Sequence, residues 1–390
     1  MKPIITSLIL SVLVFSISSA QTNKNSIRAN DVLDSTYKYY GIPNSQLLRE
    51  HHPFKNDYKA DYLGGGDHAN NANPYAYLWP YSGSLSAHVA LYEATKSKTT
   101  KLAIDKRVLV GLQNYYDTRT PEGYASYVSS APQSDRFYDD NVWIGIDFTD
   151  LYLLTKEKQY LDKAVEVWEF VASGMDEKLG GGIYWCEQRK ESKNTCSNAP
   201  SIVYLAKLYQ ATKQQKYLDL AKQLYQWTQT NLMDKEDYVY FDNINLKGKV
   251  DKRKYAYNSG QMIQAGVLLF NLTKEKQYLV DAQQVAQGAF DAFFALSEKD
   301  ADKPQYIFKT SNNWFIAVMV RGYVELYKAD KNKTYTDIIK QNLDYAWQHL
   351  RADNGLFTKE WDTTKNSKDA KWLLDQFAMV EMYSKLSAVK

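Results

Sequence analysis

The sequence predicts an all-α protein, a closed (α/α)6 barrel of six inner and six outer helices, on three observations. A short motif recurs along the chain. Each copy follows a helical segment that is apolar nearly all round and precedes an amphipathic one. The connections between segments alternate between short and long. The copies are "LYEATKSK" from Leu91, "LYLLTKEK" from Leu151, "LYQATKQQ" from Leu208, "LFNLTKEK" from Leu269 and "LYKADKNK" from Leu326, spaced 57 to 61 residues apart. Leu, an aromatic ring, two variable residues, Thr or Asp, then Lys is the common pattern.

Taken in order, residues 1–20 ("MKPIITSLILSVLVFSISSA") have the layout of a secretory signal peptide: an early lysine, an apolar run and small residues before Gln21. The expectation is a single catalytic domain over 21–390 in an exported protein, periplasmic or secreted. No cysteine stands at the cleavage point, so a lipoprotein is not expected. "DVLDSTYKYY" (31–40) supplies a first outer helix. Segments such as "SIVYLAKLYQA" and "GQMIQAGVLLFNL" read as inner helices, enclosed on all sides, and "KYLDLAKQLYQWTQTNL" reads as an outer helix with one polar face. "KWLLDQFAMVEMYSKL" (371–386) completes the count with a sixth inner helix. The competing arrangement is an open α-solenoid, whose terminal repeats carry polar caps; these ends do not. Inner-to-outer turns take a few residues, whereas the outer-to-inner connections 118–138, 174–197, 232–255 and 351–370 are long. All the long loops therefore gather on one face, where function concentrates.

Charge narrows the partners. With 48 basic and 45 acidic side chains and a net charge of +3, the chain advertises neither nucleic acid nor an anionic membrane as partner, no later segment could span a bilayer, and a neutral ligand is favoured. A monomer is expected. Cys186 and Cys196, the two cysteines, are ten positions apart; in an oxidising compartment they could form a disulfide or remain free thiols, and the sequence leaves both open. His51, His52, His68, His88 and His349 make no ligand spacing, so neither a metal nor a cofactor is expected. Asn271 and Asn332 begin glycosylation patterns that matter only in a host that glycosylates.

The long loops and helix starts hold "NPYAYLWPYSG", "GGGIYWCE", "YVYFDNIN", "YAYNSG" and "TSNNWF". Rings interleaved with amides and hydroxyls suit a pyranose, which has an apolar face and a polar rim. Trp79, Tyr81, Trp143, Tyr184, Trp185, Tyr257, Asn258 and Trp314 are the candidate sugar-binding residues, against the alternative that such aromatics fill the middle of a wide barrel. The sharper feature is "RFYDDNVWIGIDFTDLY", which places Asp139 and Asp140 side by side at the start of an inner helix on the loop face. Helix capping explains one aspartate and not two. Two carboxyls flanking a glycosidic bond, one ionised and one protonated, explain both; the residues alone do not say which is which. Asp147 and Asp150, deeper along the same helix, read as structural groups.

"YLWPYSG" (77–83), "YDDNVWIGIDF" (138–148), "GGGIYW" (180–185) and "YAYNSGQMIQAG" (255–266) together resemble the successive signatures of glycoside hydrolase family 76, the endo-α-1,6-mannanases. The resemblance implies an (α/α)6 barrel that cleaves the α-1,6-linked backbone of fungal mannan with retention. It implies Asp139 as nucleophile and Asp140 as acid/base, and a matching sugar-groove acid at Asp242. Ser259 departs from the glutamine common in the family. An α-1,6-glucan hydrolase on the same barrel, a glycan-capturing protein without chemistry and, more distantly, a helical-repeat adaptor are the alternatives.

Overall fold

The repeated motif is a helix stop and a helix start in one. In the computed structural model, which describes residues 24–60, 73–297, 303–309, 312–361 and 370–389, five inner helices end on the motif lysine. Lys96, Lys156, Lys213, Lys274 and Lys331 all adopt the left-handed conformation, with φ of 52, 63, 60, 64 and 61°. Each N–H turns back to the carbonyl of the motif aromatic residue, from Tyr92 in the first copy to Tyr327 in the fifth. Glycine is the usual residue in that conformation. Here the lysine ammonium lies over the same aromatic ring, 5.5 Å from Tyr92, 5.4 Å from Tyr152, 5.9 Å from Tyr209, 5.9 Å from Phe270 and 5.6 Å from Tyr327. That attraction offsets part of the backbone strain. The motif threonine completes the stop: Thr95, Thr155, Thr212 and Thr273 donate to the motif leucine carbonyl and accept the N–H two residues on. Asp330 takes the accepting role from Asn332 in the last copy.

Among the described residues, these turns and the longer loops between them connect twelve helices. The outer ones are α1 (24–40), α3, α5 (Lys158–Ala172), α7 (Gln215–Leu232), α9 (Lys276–Phe293) and α11 (Thr334–His349). The inner ones are α2 (Leu78–Thr95), α4 (Tyr138–Thr155), α6 (Thr195–Thr212), α8 (Ala256–Thr273), α10 (Asn313–Asp330) and α12 (Leu373–Leu386). Helix α3 runs as Lys98–Ala103, a π-helical stretch Ile104–Val108 and Leu109–Leu112. Inner helices pack in the order α2, α4, α6, α8, α10, α12 and back to α2, so the inner ring closes and the barrel predicted from the sequence is the fold. Outside it, Arg28 and Lys24 of α1 pair with Asp344 of α11, and His51–His52 pair antiparallel with Lys371–Trp372, both joining the two ends of the chain. Helix α1 begins earlier than the sequence suggested, and α12 starts at Leu373 because Lys371 and Trp372 are drawn into that ribbon. The expected signal peptide lies outside the described residues. Among them no helix is long and apolar enough to cross a membrane.

Where inner helices press closest, side chains are absent. A Cβ on Gly260 of α8 would sit 2.3 Å from the Met319 Cα of α10, and one on Gly322 would sit 2.3 Å from the Gly260 carbonyl. Beneath the loop face the barrel axis is filled by charge. Asp147 accepts from Ser86 at 2.6 Å, Arg321 is buried in a two-bond pair with Glu381, and a turn lower Lys207 meets Asp150 and Lys385 meets Glu93. Asp147 and Asp150 thus belong to a structural ladder, as their depth in the helix suggested. The barrel is plugged at that end and open at the other.

Candidate active site

At the open end the loops and the inner-helix starts enclose a cleft of about 760 Å³, within the usual size range of small-molecule sites. The first turn of α4 forms part of its floor. The N-cap of α4 is Phe137, whose side chain makes no capping bond, so Asp139 and Asp140 sit inside the first turn rather than at the cap. Neighbouring loops fix that turn. Tyr138 N–H donates to the Trp185 carbonyl at 2.9 Å, and Phe137 forms a β-bridge with Cys186. Beside it the Arg136 guanidinium, 1 % exposed, grips Glu187 at 2.7 and 2.5 Å and the carbonyls of Arg119 and Pro121 at 2.8 Å each. One buried arginine therefore ties two long loops to the residue pair.

The two carboxyls have unequal surroundings. Asp139 Oδ2 accepts the Trp185 indole N–H at 3.1 Å. Burial pushes its pKa up to about 6, with the Cys196 thiol, the Trp185 indole and backbone N–H groups of the helix start acting against a larger rise. Asp140 has no hydrogen-bond donor on its carboxyl among the described residues; burial and then the charge of Asp139 push its pKa well above the usual carboxylate range. The two carboxyls are coupled, so their protons leave in two steps that belong to the pair.

Aromatic rings build the walls. Trp314 of α10 meets Trp143 of α4 at 4.9 Å and Trp79 of α2 at 5.4 Å, both edge to face, and Tyr257 of α8 stacks on Phe315 at 4.2 Å. Asp242, on the ribbon Phe241–Asn245/Val250–Lys254, accepts from Asn243 at 3.1 Å and from Arg253 at 3.3 Å, and its pKa is raised by burial. Trp79, Trp143, Trp185, Asp242, Tyr257 and Trp314 thus line the cleft together with Asp139 and Asp140.

Three of the sequence candidates stand elsewhere. The Tyr81 hydroxyl donates to the Gln46 and Val108 carbonyls at 3.1 Å, between α2 and α3. Tyr184 bonds Asp176 at 2.8 Å beneath the Lys193 ammonium. Asn258 is fully buried and does not line the cleft. Cys186 and Cys196 are free thiols, so the disulfide alternative is not realised: Cys186 faces Gln188 at 3.8 Å while Cys196, in the first turn of α6, faces the cleft beside Asp139. The sequence reading missed Cys196, Tyr77, Phe315, Trp372 and Asp375, all cleft-lining. "KWLLDQF" could have revealed the last two, since it repeats the pattern of an aromatic residue and an acid at an inner-helix start.

A closed ring of helix pairs with adjacent carboxyls on the floor of an aromatic cleft defines a carbohydrate-active enzyme of the (α/α)6 class. A sequence model of glycosyl hydrolase family 76 matches residues 50–301, and the chain belongs to that family. A solved family 76 glycoside hydrolase (mannosidase), Bt3792 from Bacteroides thetaiotaomicron, is 33% identical, with 93% of this chain and 98% of that one covered and a TM-score of 0.82. The meiotically up-regulated gene 191 protein of Schizosaccharomyces pombe is 24% identical over 60% of this chain and 59% of its own length. The mannan endo-1,6-α-mannosidase DCW1 of Candida glabrata is 32% identical over 25% of this chain and 24% of its own. The chain thus spans less than two thirds of the length of either of these curated relatives.

Proposed function

We propose that the protein hydrolyses α-1,6-mannosidic bonds within the backbone of mannan, with retention of anomeric configuration. The observation that carries the chemistry is the unequal carboxyl pair: Asp139 supplied with hydrogen-bond donors, Asp140 without them and next to a charge. Asp140, protonated, gives its proton to the glycosidic oxygen as the C1–O bond breaks, and Asp139, ionised, attacks C1 to form a glycosyl ester. Water then attacks C1, passes its proton to Asp140 and frees Asp139, so that both groups end as they began. Trp79, Trp143, Trp314 and Tyr257 offer the apolar faces against which a pyranose packs, and Asp242 an acceptor for its hydroxyls. Mannose as the sugar and the α-1,6 linkage are supported by the names of the Bacteroides and Candida relatives.

The test is incubation with debranched yeast mannan and, side by side, with α-1,6-gluco-oligosaccharides. Release of shorter oligomers from mannan alone, lost by about 10²–10⁴-fold in Asp139→Asn and in Asp140→Asn, is expected. Preferred cleavage of the glucan would reassign the sugar, and full activity in either variant would remove the mechanism.

A further inference from the structure

On the side of the cleft away from the reacting pair, an ammonium and a carboxylate face the same space without touching. Lys371 sits in the ribbon with His51–His52, and Asp375 in the first turn of α12; both line the cleft with Trp372 between them in sequence. Asp375 is 3% exposed, and its Oδ1 accepts the Asn313 N–H at 3.1 Å. Oδ2 has no hydrogen-bond partner among the described residues, and Lys371 has no carboxylate at ion-pairing distance there, although each feels the charge of the other. Burial drives their pKa values towards neutrality from opposite sides, Asp375 up to about 7 and Lys371 down.

A carboxylate oxygen and an ammonium that open onto the same cleft can be satisfied together by one ligand. It must donate to the carboxylate and accept from the ammonium at once. A hydroxyl does either, and two adjacent hydroxyls of a pyranose do both. A phosphorylated or acidic sugar would suit Lys371 and the nearby Lys359 but would meet Asp375 as a like charge, so the neutral diol is the better fit. Trp372, fixed by its indole N–H to Glu50 at 3.1 Å and meeting Trp79 edge to face at 5.2 Å, supplies apolar surface beside the pair.

We propose that Lys371 and Asp375 form a diol clamp for a second sugar unit of the substrate, distinct from the unit that reacts. The proposal rests on the mannan reading for the identity of the sugar. Its residues lie beyond the stretch matched by the family model, which ends at residue 301. Helix α2 lies between α4 and α12 in the ring. Asp139 leans towards Cys196 of α6 and Asp375 towards Asn313 of α10, so the acids of α4 and α12 meet the cleft from different sides.

The experiment measures calorimetric binding of linear α-1,6-mannotetraose to the Asp140→Asn protein and to the same protein carrying Lys371→Met, Asp375→Asn or both. Each single change is expected to weaken binding about 10–100-fold, the loss of one charge-assisted hydrogen bond. The double change is expected to be little worse than either, because both residues hold one diol. Asparagine still accepts the Asn313 N–H, so the thermal midpoint should hold. Unchanged affinity in both single variants, or fully additive losses, would overturn the clamp. If the parent bound no manno-oligosaccharide, clamp and substrate reading would fall together; if the wild type cleaved mannan while the variants bound as the parent does, the clamp alone would fall.

Discussion

Replacing Trp185 by Phe is the most informative single change, because it isolates what sets the charge of Asp139. Phenylalanine keeps a ring beside Phe137, which the indole meets at 4.9 Å, but removes the N–H that reaches Asp139 Oδ2 at 3.1 Å. A hydrogen bond to a charged group contributes about 1.5–3 kcal/mol, and one pKa unit corresponds to about 1.4 kcal/mol. Losing this donor should thus lift the Asp139 pKa by about 1–2 units from its value near 6. The sign follows from its role: the nucleophile works ionised, so the rate falls as pH drops through that pKa. In a profile of kcat/KM against pH, the acid limb should lie near pH 6 in the wild type and move up by about 1–2 units in Trp185→Phe. At pH 5 the variant would then be about 10–100-fold slower, while the alkaline limb, set by the raised Asp140, moves little. An acid limb that stays in place in Trp185→Phe would refute the assignment of Asp139 as the ionised partner.

Other consequences follow from the packing. Both cysteines should react with a thiol reagent once the purified protein is unfolded without reductant, and reductant should leave the thermal midpoint unchanged; a single unreactive pair would mean a bridge. Gly260→Ala should destabilise by about 1–3 kcal/mol in urea melts, since the new methyl meets the backbone of α10 rather than a yielding side chain. Arg321→Met should cost about 3–5 kcal/mol by stranding Glu381, whereas changing both partners together to Met and Leu should restore much of that loss.

The architecture was legible because it is written in local chemistry repeated five times. The motif lysine, threonine and aromatic ring each perform a bond in the turn itself, so their spacing needs no tertiary information. Asp139 and Asp140 were legible for a similar reason, being two like charges where one would cap. What the sequence could not say is which way neighbouring side chains point. Tyr184 and Trp185 are adjacent on an extended segment, so when the indole faces Asp139 the phenol must face away, towards Asp176. Tyr81 lies two residues after Trp79 on a helix, about 200° round its axis, and Asn258 is about 100° round from Tyr257. Trp372 and Asp375, at the start of the last inner helix, come to the cleft only because the ring closes. The cysteines show the same limit: ten positions apart in the chain, they belong to a bridge strand and a helix start that face different ways.

The central claim is that the adjacent acids act in sequence, one forming a bond to the sugar that the other helps to break. Proton NMR of the first products released from linear α-1,6-mannotetraose tests it directly. The new reducing end is expected to appear first as the α anomer and to mutarotate afterwards; a β anomer at the earliest times would rule out a glycosyl ester on Asp139.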